Sequence, residues 1–278
     1  DPPVKGVIIA AGRGLRLRPI TNVLPKCMLE VAGRPILHHT MDCMRQAGCS
    51  EIVVIVGHEA SRVHADGAFL VTNEDYANNN ILHSLMCARD HLTGPVMCSY
   101  SDIWVEPEIH SALAATEGDI VVAADRDWTP YYDRRTDHAL PEAENIFVDQ
   151  ENVAAKIGKY LHPDDAGAFL CGEFLGLWRM SAEGTELFRR TFDELDARLG
   201  RDEPFQHAAL WKTAYITDMV QELIDRGNRI DCAIIERGWA ELDTVQDFER
   251  LEAIAEPQFI GTFRHPHRVA LSLQNRNR

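Results

Sequence analysis

The chain has 278 residues, enough at ~100–200 residues per domain for one large domain or two small ones. Hydrophobic residues make up 45% and charged residues 26%, a globular balance that excludes extensive disorder. The net charge of −15 argues against wrapping nucleic acid or resting on an anionic membrane, so any polyanionic ligand must meet a locally basic site.

Residues 4–11 are a short apolar run that reads as a buried first strand. Residues 12–26 follow as a basic loop punctuated by Gly and Pro. Arg34-Pro35 opens a helix with Ile36, Leu37, Thr40, Met41 and Met44 at helical spacing, closed by Ala47-Gly48. Residues 52–56 read as a second buried strand before Gly57, and residues 68–72 as a weaker third. Residues 81–91 carry Leu82, Leu85, Met86 and Ala88 on one helical side. Residues 96–100 form a strand that ends at Ser101-Asp102; a helix over 107–117 and a strand over 120–124 follow. This alternation predicts βαβ units and a parallel sheet. Ligands then belong beyond the carboxyl ends of the strands, at residues 12–18, 57, 73–80 and 102.

The second half is less regular. Residues 128–143 show no period, and 145–159 read as two short strands around a turn at Asp149–Asn152. A strand over 169–178, amphipathic helices over 183–199 and 215–226, a strand over 230–235 and a helix over 244–255 complete the order. The last dozen residues carry Arg264, His265, His267, Arg268, Arg276 and Arg278 and read as a tail.

The seven Cys are odd in number and contain no C-x-x-C, which reads as reduced thiols in a cytoplasmic protein. No apolar run approaches the ~20 residues needed to span a bilayer. Asp1-Pro2-Pro3 has no signal-peptide character, and the missing initiator Met points to trimming.

The sharpest feature is Ala10-Ala11-Gly12-Arg13-Gly14-Leu15-Arg16-Leu17-Arg18-Pro19, followed by Pro25-Lys26. Two glycines after a strand let backbone N–H groups approach a phosphate. Arg13, Arg16, Arg18 and Lys26 add the positive charge that the acidic whole requires. It is no P-loop, and Leu17 stands where a dinucleotide fingerprint needs its third Gly. The alternative is a tight turn with solvated arginines.

Together with Leu29-Glu30-Val31-Ala32-Gly33-Arg34-Pro35-Ile36-Leu37, this loop resembles the signature of the nucleotidylyltransferases. These enzymes join an NTP to a phosphorylated small molecule and release pyrophosphate. Leu15 departs from the Thr or Ser usual before the Arg. The resemblance weakens but extends to about residue 255. It implies that Ala11, Gly12, Arg13, Gly14 and Arg16 hold the β,γ-phosphates and that Lys26 neutralises charge at the α-phosphorus.

Phosphoryl transfer needs positioning and charge neutralisation, usually with Mg²⁺ on one or two carboxylates. Asp102 ends a buried strand, and Asp243 lies between a strand and a helix; both resemble the family's metal aspartates. Asp243 could instead cap the following helix. Asp125-Arg126-Asp127 offers a rival Asp-x-Asp, as in a nucleotide-sugar glycosyltransferase.

The amide-rich stretch from Asn73 to Leu85 suits a base edge, because amides both donate and accept; Asn80 could equally be a helix cap. Asn-x-x-Tyr and Asn-Asn-x-x-x-Ser-Leu resemble the cytidylyltransferase branch that handles choline phosphate and aminoalkylphosphonates, which makes CTP the expected nucleotide and Asn79 and Ser84 the base-pocket residues. For the acceptor, Lys159 fits the family's phosphate lysine, with Lys156 beside it. Trp128, Tyr131, Tyr132 and Glu173 would suit an ammonium group, whereas Arg126, Arg134 and Arg135 would suit a second anion. The residues do not choose between them.

The expectation is an α/β protein with a doubly wound, mostly parallel, Rossmann-like sheet. One domain covers residues 1–260, with an acceptor-binding subregion at about 126–180, and the tail is 261–278. The activity expected is Mg²⁺-dependent transfer of CMP from CTP to a phospho- or phosphono-acceptor. Alternatives are a sugar-1-phosphate nucleotidylyltransferase or a glycosyltransferase using Asp125 and Asp127. No nucleic-acid or membrane partner is expected, and a homodimer is only a working assumption.

Overall fold

The computed structural model describes residues 3–138 and 140–255. The proposed tail at 261–278 lies outside them. In chain order the elements are β1 (Val4–Ala10), β2 (Glu30–Val31), β3 (Arg34–Pro35), α1 (Ile36–Gln46), β4 (Cys49–Val56), β5 (Ala68–Thr72), α2 (Ile81–Met86), β6 (Val96–Tyr100) and β7 (Ile103–Val105). There follow α3 (Pro107–Ala115), β8 (Ile120–Asp125), β9 (Glu144–Val148), β10 (Ala154–Lys159), β11 (Leu170–Met180), α4 (Ala182–Arg198), α5 (Ile216–Asp225), β12 (Asp231–Ile235), β13 (Trp239–Glu241) and α6 (Val245–Ala255).

The sheet runs β10-β9-β11-β6-β1-β4-β5, with β8 joining β11 to β12. β1 pairs in parallel with β4 and β6, β4 with β5, and β8 with β12. Its central strands are buried on both faces, so they read as continuous apolar runs rather than alternating ones. Alternation survives in where side chains go. Val7 and Ile9 enter one core cluster with α2, α4 and α5; Ile8 and Ala10 enter the other with α1 and α3. Helices therefore cover both faces, as a doubly wound sheet requires. Each fully buried Leu, Ile or Phe in these layers contributes roughly 1.5–3 kcal/mol.

β11 departs from the parallel scheme. Its first half pairs antiparallel with β9, its second half antiparallel with β6, and β8 pairs along both. Between the halves the register shifts, and Gly176 adopts φ +82°. A Cβ there would strike the Tyr100 ring, so the bend and the ring's seat depend on glycine.

Two expectations need correction. The helix over 81–91 ends at Met86 and resumes only as one 3₁₀ turn, Arg89–His91. The residues around 103–105 and 239–241, which carry no clear period, form a small antiparallel ribbon of β7 and β13 that leads directly into Asp243. All seven Cys are free thiols. No helix among the described residues is long and apolar enough to cross a membrane.

Candidate active site

A cavity of about 290 Å³ opens beyond the carboxyl ends of β1 and β6. Its wall includes Ala11, Gly12, Gly14, Arg16, Lys26, Asn79, Ser84, Asp102, Lys159, Glu173 and Asp243. Residues from across the sequence thus converge on one space. Gly14 turns the loop with φ +58°, and its carbonyl accepts from Thr21 Oγ1 at 2.6 Å. A Cβ on Gly12 would meet nothing within 4 Å, so that stretch of backbone is open to a ligand.

The charged centre is Lys26. Its ammonium donates to Asp102 Oδ2 at 3.1 Å and to Asp243 Oδ1 at 2.9 Å. Burial disfavours that charge, but the two carboxylates outweigh it and hold the ammonium well above the usual lysine range. Burial would likewise raise Asp243, yet Lys26 and Arg16 keep its carboxyl well below the usual range. Burial does win at Asp102, which is pushed up. Arg16 lies 3.1 Å from Asp243 and 2.8 Å from Glu142.

Asp102 and Asp243 each come within about 3 Å of one nitrogen, so their oxygens already converge on a single cation-sized point. Hard carboxylate oxygens in that arrangement suit Mg²⁺. His138, Glu241 and Asp243 also bring donor atoms within 4.8 Å of one another. His138 Nδ1, however, already accepts from Arg135 at 2.8 Å, which leaves the two aspartates as the better pair.

On the side of α2, Asn73 and Asn79 exchange amide hydrogen bonds at 2.8 and 3.1 Å. Asn80 caps α2 by accepting from the Ile81 amide at 2.8 Å, so the capping reading holds for that residue. Ser84 is buried, lines the cavity, and its hydroxyl has no protein partner.

A second group of charges lies around β9, β10 and β11. Lys159 Nζ sits 4.3 Å from the Tyr215 ring centroid. Burial pushes Glu144 up to about 7 against the opposing charge of Lys159; its carboxylate accepts from Tyr100 and Thr217. Burial, then the charge of Glu241, pushes Glu173 up to about 8. One oxygen of Glu173 accepts from the Tyr132 hydroxyl; the other is buried and unpartnered.

Some expected residues are elsewhere. Arg13 is exposed and outside the cavity wall. Trp128 and Tyr132 are buried behind the wall, where Trp128 donates to the Cys171 carbonyl and Tyr132 supports Glu173. Lys156 is exposed on β10, whereas Lys159 reaches the cavity. Arg126 and Arg134 are exposed, while Arg135 is spent on Asp247 and Glu241. Asp125 is fully buried and accepts from Arg237, Trp239 Nε1 and the Asp127 amide, so it is unavailable for an Asp-x-Asp metal site. The sequence reading missed Tyr100, His138, Glu142, Glu144, Tyr215 and Glu241. For Glu241 a signal existed: it stands two residues before Asp243, on the same side of an extended segment whose Leu242 is buried.

Comparison with known proteins agrees with this architecture. The family profile described as MobA-like NTP transferase domain matches residues 6–232. CTP:phosphoglutamine cytidylyltransferase of Campylobacter jejuni is 24% identical over 259 residues, which are 88% of this chain and 98% of that protein. CMP-5'-(3-aminopropyl)phosphonate synthase of Streptomyces rubellomurinus is 31% identical over 240 residues, 80% of this chain; the match spans 37% of that longer protein. The solved structure of CTP:phosphocholine cytidylyltransferase from Streptococcus pneumoniae has a TM-score of 0.67 at 20% identity, covering 92% of this chain and 100% of that one, and shares the fold.

Proposed function

The chain belongs to the MobA-like NTP transferase family, and from that premise we propose a CTP-dependent cytidylyltransferase acting on a small phosphate or phosphonate that carries a cationic amine. In the reaction, an oxygen of the acceptor's phosphate or phosphonate attacks the α-phosphorus of CTP. A new P–O bond joins acceptor to CMP, the bond to the β-phosphate oxygen breaks, and pyrophosphate leaves. No protein nucleophile is needed.

The observation that carries this reading is the Lys26 ammonium bonded to both Asp102 and Asp243 beside an open glycine loop. Lys26 sets a fixed positive charge where the α-phosphate accumulates negative charge on attack, an electrostatic role. Arg16 and the Gly12–Gly14 backbone take the β,γ-phosphates. Asp102 and Asp243 would hold Mg²⁺, which when bound supplies charge neutralisation and a template for phosphate oxygens. The amides of Asn73 and Asn79 and the hydroxyl of Ser84 face the cytosine.

Two facts favour an amine on the acceptor. The arginines that could have met a second anion are spent or exposed. Glu173 instead presents a buried, unpartnered carboxyl oxygen at a cavity wall that Glu144 also lines. Lys159 is then the partner of the acceptor's phosphate or phosphonate.

The test is pyrophosphate release from CTP with a panel of 2-aminoethylphosphonate, 3-aminopropylphosphonate, phosphocholine, hydroxyethylphosphonate and glucose 1-phosphate. Release with an amine-bearing member and Mg²⁺, lost in Asp102→Ala and Lys26→Ala, is the expected result. Release only with the sugar phosphate, or near-normal turnover in either variant, would sink the reading.

A further inference from the structure

Asp243 does not hold its own position. Its backbone N–H donates to Asp247 Oδ2 at 3.1 Å, and the Thr244 N–H donates to the same oxygen at 3.1 Å. Asp247 is completely buried. Arg135, also buried, grips it with a fork: Nε to Oδ1 at 2.7 Å and Nη2 to Oδ2 at 3.0 Å. The same Nη2 reaches Glu241 Oε2 at 2.7 Å. Arg135 thus ties together residues on either side of Asp243. Its guanidinium is fixed in turn against the rings of Tyr131 and Tyr132, at 5.0 and 4.9 Å. Tyr131 closes the frame by accepting from the Glu241 N–H at 3.1 Å.

A helix cap explains only part of this. Thr244 and Asp247 exchange the two bonds of a capping box at the start of α6. That motif needs neither the Asp243 N–H nor a buried arginine. A buried ion pair is also weak evidence for stability, because apolar residues of like volume often serve as well. We infer that the Arg135–Asp247 pair is a positioning device for the Asp243 carboxylate, setting how tightly Asp102 and Asp243 together hold a divalent cation. Asp247 and Arg135 act through Asp243 and touch no substrate. The inference rests on the reading of Asp102 and Asp243 as the metal carboxylates.

The structure supplies its own control. Arg237 and Asp125 form a second fully buried pair, and Asp125 also accepts from Trp239 Nε1. That pair makes no bond to the Asp243–Thr244 backbone. The experiment is an EPR titration of Mn²⁺ against the whole protein, with melting temperatures measured in parallel. Saturable Mn²⁺ binding by the wild type that Asp102→Asn abolishes upholds the underlying reading; no saturable binding removes that reading and the inference with it. Given binding, Asp247→Asn and Arg135→Lys are each expected to weaken Mn²⁺ about 10–100-fold, the scale for groups that orient metal ligands. Asp125→Asn should lower the melting temperature while leaving Mn²⁺ affinity within twofold. The inference falls if Asp247→Asn and Arg135→Lys lose less than fivefold, or if Asp125→Asn loses as much as they do. If Asp247→Asn does not fold, Arg135→Lys decides alone, since it keeps the charge and removes the fork.

Discussion

Two groups of charges share the cavity, and they are paired to different degrees. Around the glycine loop, Lys26 and Arg16 are each ion-paired, two cations against the three carboxylates of Asp102, Asp243 and Glu142. Around β9 to β11, Lys159 stands against Glu144, while Glu173 accepts from Tyr132 through one oxygen and its other oxygen has no partner. The cations of the first group are already paired within the chain and outnumbered by its carboxylates, so a triphosphate entering there would require extra positive charge, such as a metal. The second group holds a buried acid with an unpartnered oxygen, Glu173, which burial raises to about 8, so a ligand cation would let it ionise. Both follow from placing polar groups at strand ends over a sheet whose two faces are already filled.

The largest expected effect breaks the glycine-loop group. In Lys26→Ala, Asp102 and Asp243 face each other without their shared ammonium. Turnover should fall by about 10²–10³-fold, the scale for losing one preorganised charge-stabilising group. Mg²⁺ should also raise the melting temperature more in this variant than in the wild type, because it binds the folded pair and not the unfolded chain. Equal Mg²⁺ shifts in both proteins would mean that the carboxylates do not form one cation site.

Next comes the group around β9 to β11. Glu173→Gln keeps an oxygen for the Tyr132 hydroxyl but cannot ionise beside a bound cation. A hydrogen bond to a charged group is worth roughly 1.5–3 kcal/mol, so KM for an amine-bearing acceptor should rise about 10–100-fold. KM for CTP should stay within twofold. An equal rise in both would show that the two groups are not separate in function.

A smaller effect appears in stability against pH. The Glu173 carboxyl is raised by burial and by Glu241 from 4.5 to about 8, and burial raises Glu144 to about 7. Between pH 4.5 and 8 the folded chain therefore binds more protons at these sites than the unfolded chain does. By linkage their contribution falls as pH rises through that window and is constant above it. Melting temperatures from pH 5 to 9 should decline, and Glu173→Gln should flatten the decline. A slope as steep in the variant as in the wild type would place the unpaired acid elsewhere.

The glycine-loop group is largely legible in the sequence, and the other only in part, through Lys159 and Glu173. A parallel sheet writes itself as apolar runs such as Val53–Val56, and its ligand-binding ends follow from topology. The loop from Gly12 to Lys26 is continuous in sequence, so its charges could be counted directly. The rest of the acceptor wall is assembled from residues far apart, and no local pattern reports it. Glu144 opens an ordinary short strand, and its meeting with Tyr100 and Thr217 depends on how β9 and β6 share β11. Arg135 could have been an anion site on composition alone; its partner Asp247 lies 112 residues away. Trp128 and Tyr132 had the right chemistry for a cation but packed behind the wall, since the apolar bodies of such rings are equally good core.

The smallest expected effect separates a binding hydroxyl from a packing flaw. Ser84 is 4% exposed and its hydroxyl has no protein partner, although the cavity touches it. Leaving a buried polar group unsatisfied costs about 1–3 kcal/mol, and removing it is neutral or stabilising. Ser84→Ala should therefore hold or raise the melting temperature of the free protein, by up to about 2–4 °C per kcal/mol at this size. If the hydroxyl is reserved for cytosine, KM for CTP should rise by up to about tenfold, the scale of one neutral hydrogen bond. Stability and affinity then move in opposite directions, which a structural role cannot produce. A variant more stable than wild type with unchanged KM for CTP would leave Ser84 as a filler between α2 and the sheet, and would shift base recognition to the Asn73–Asn79 pair alone.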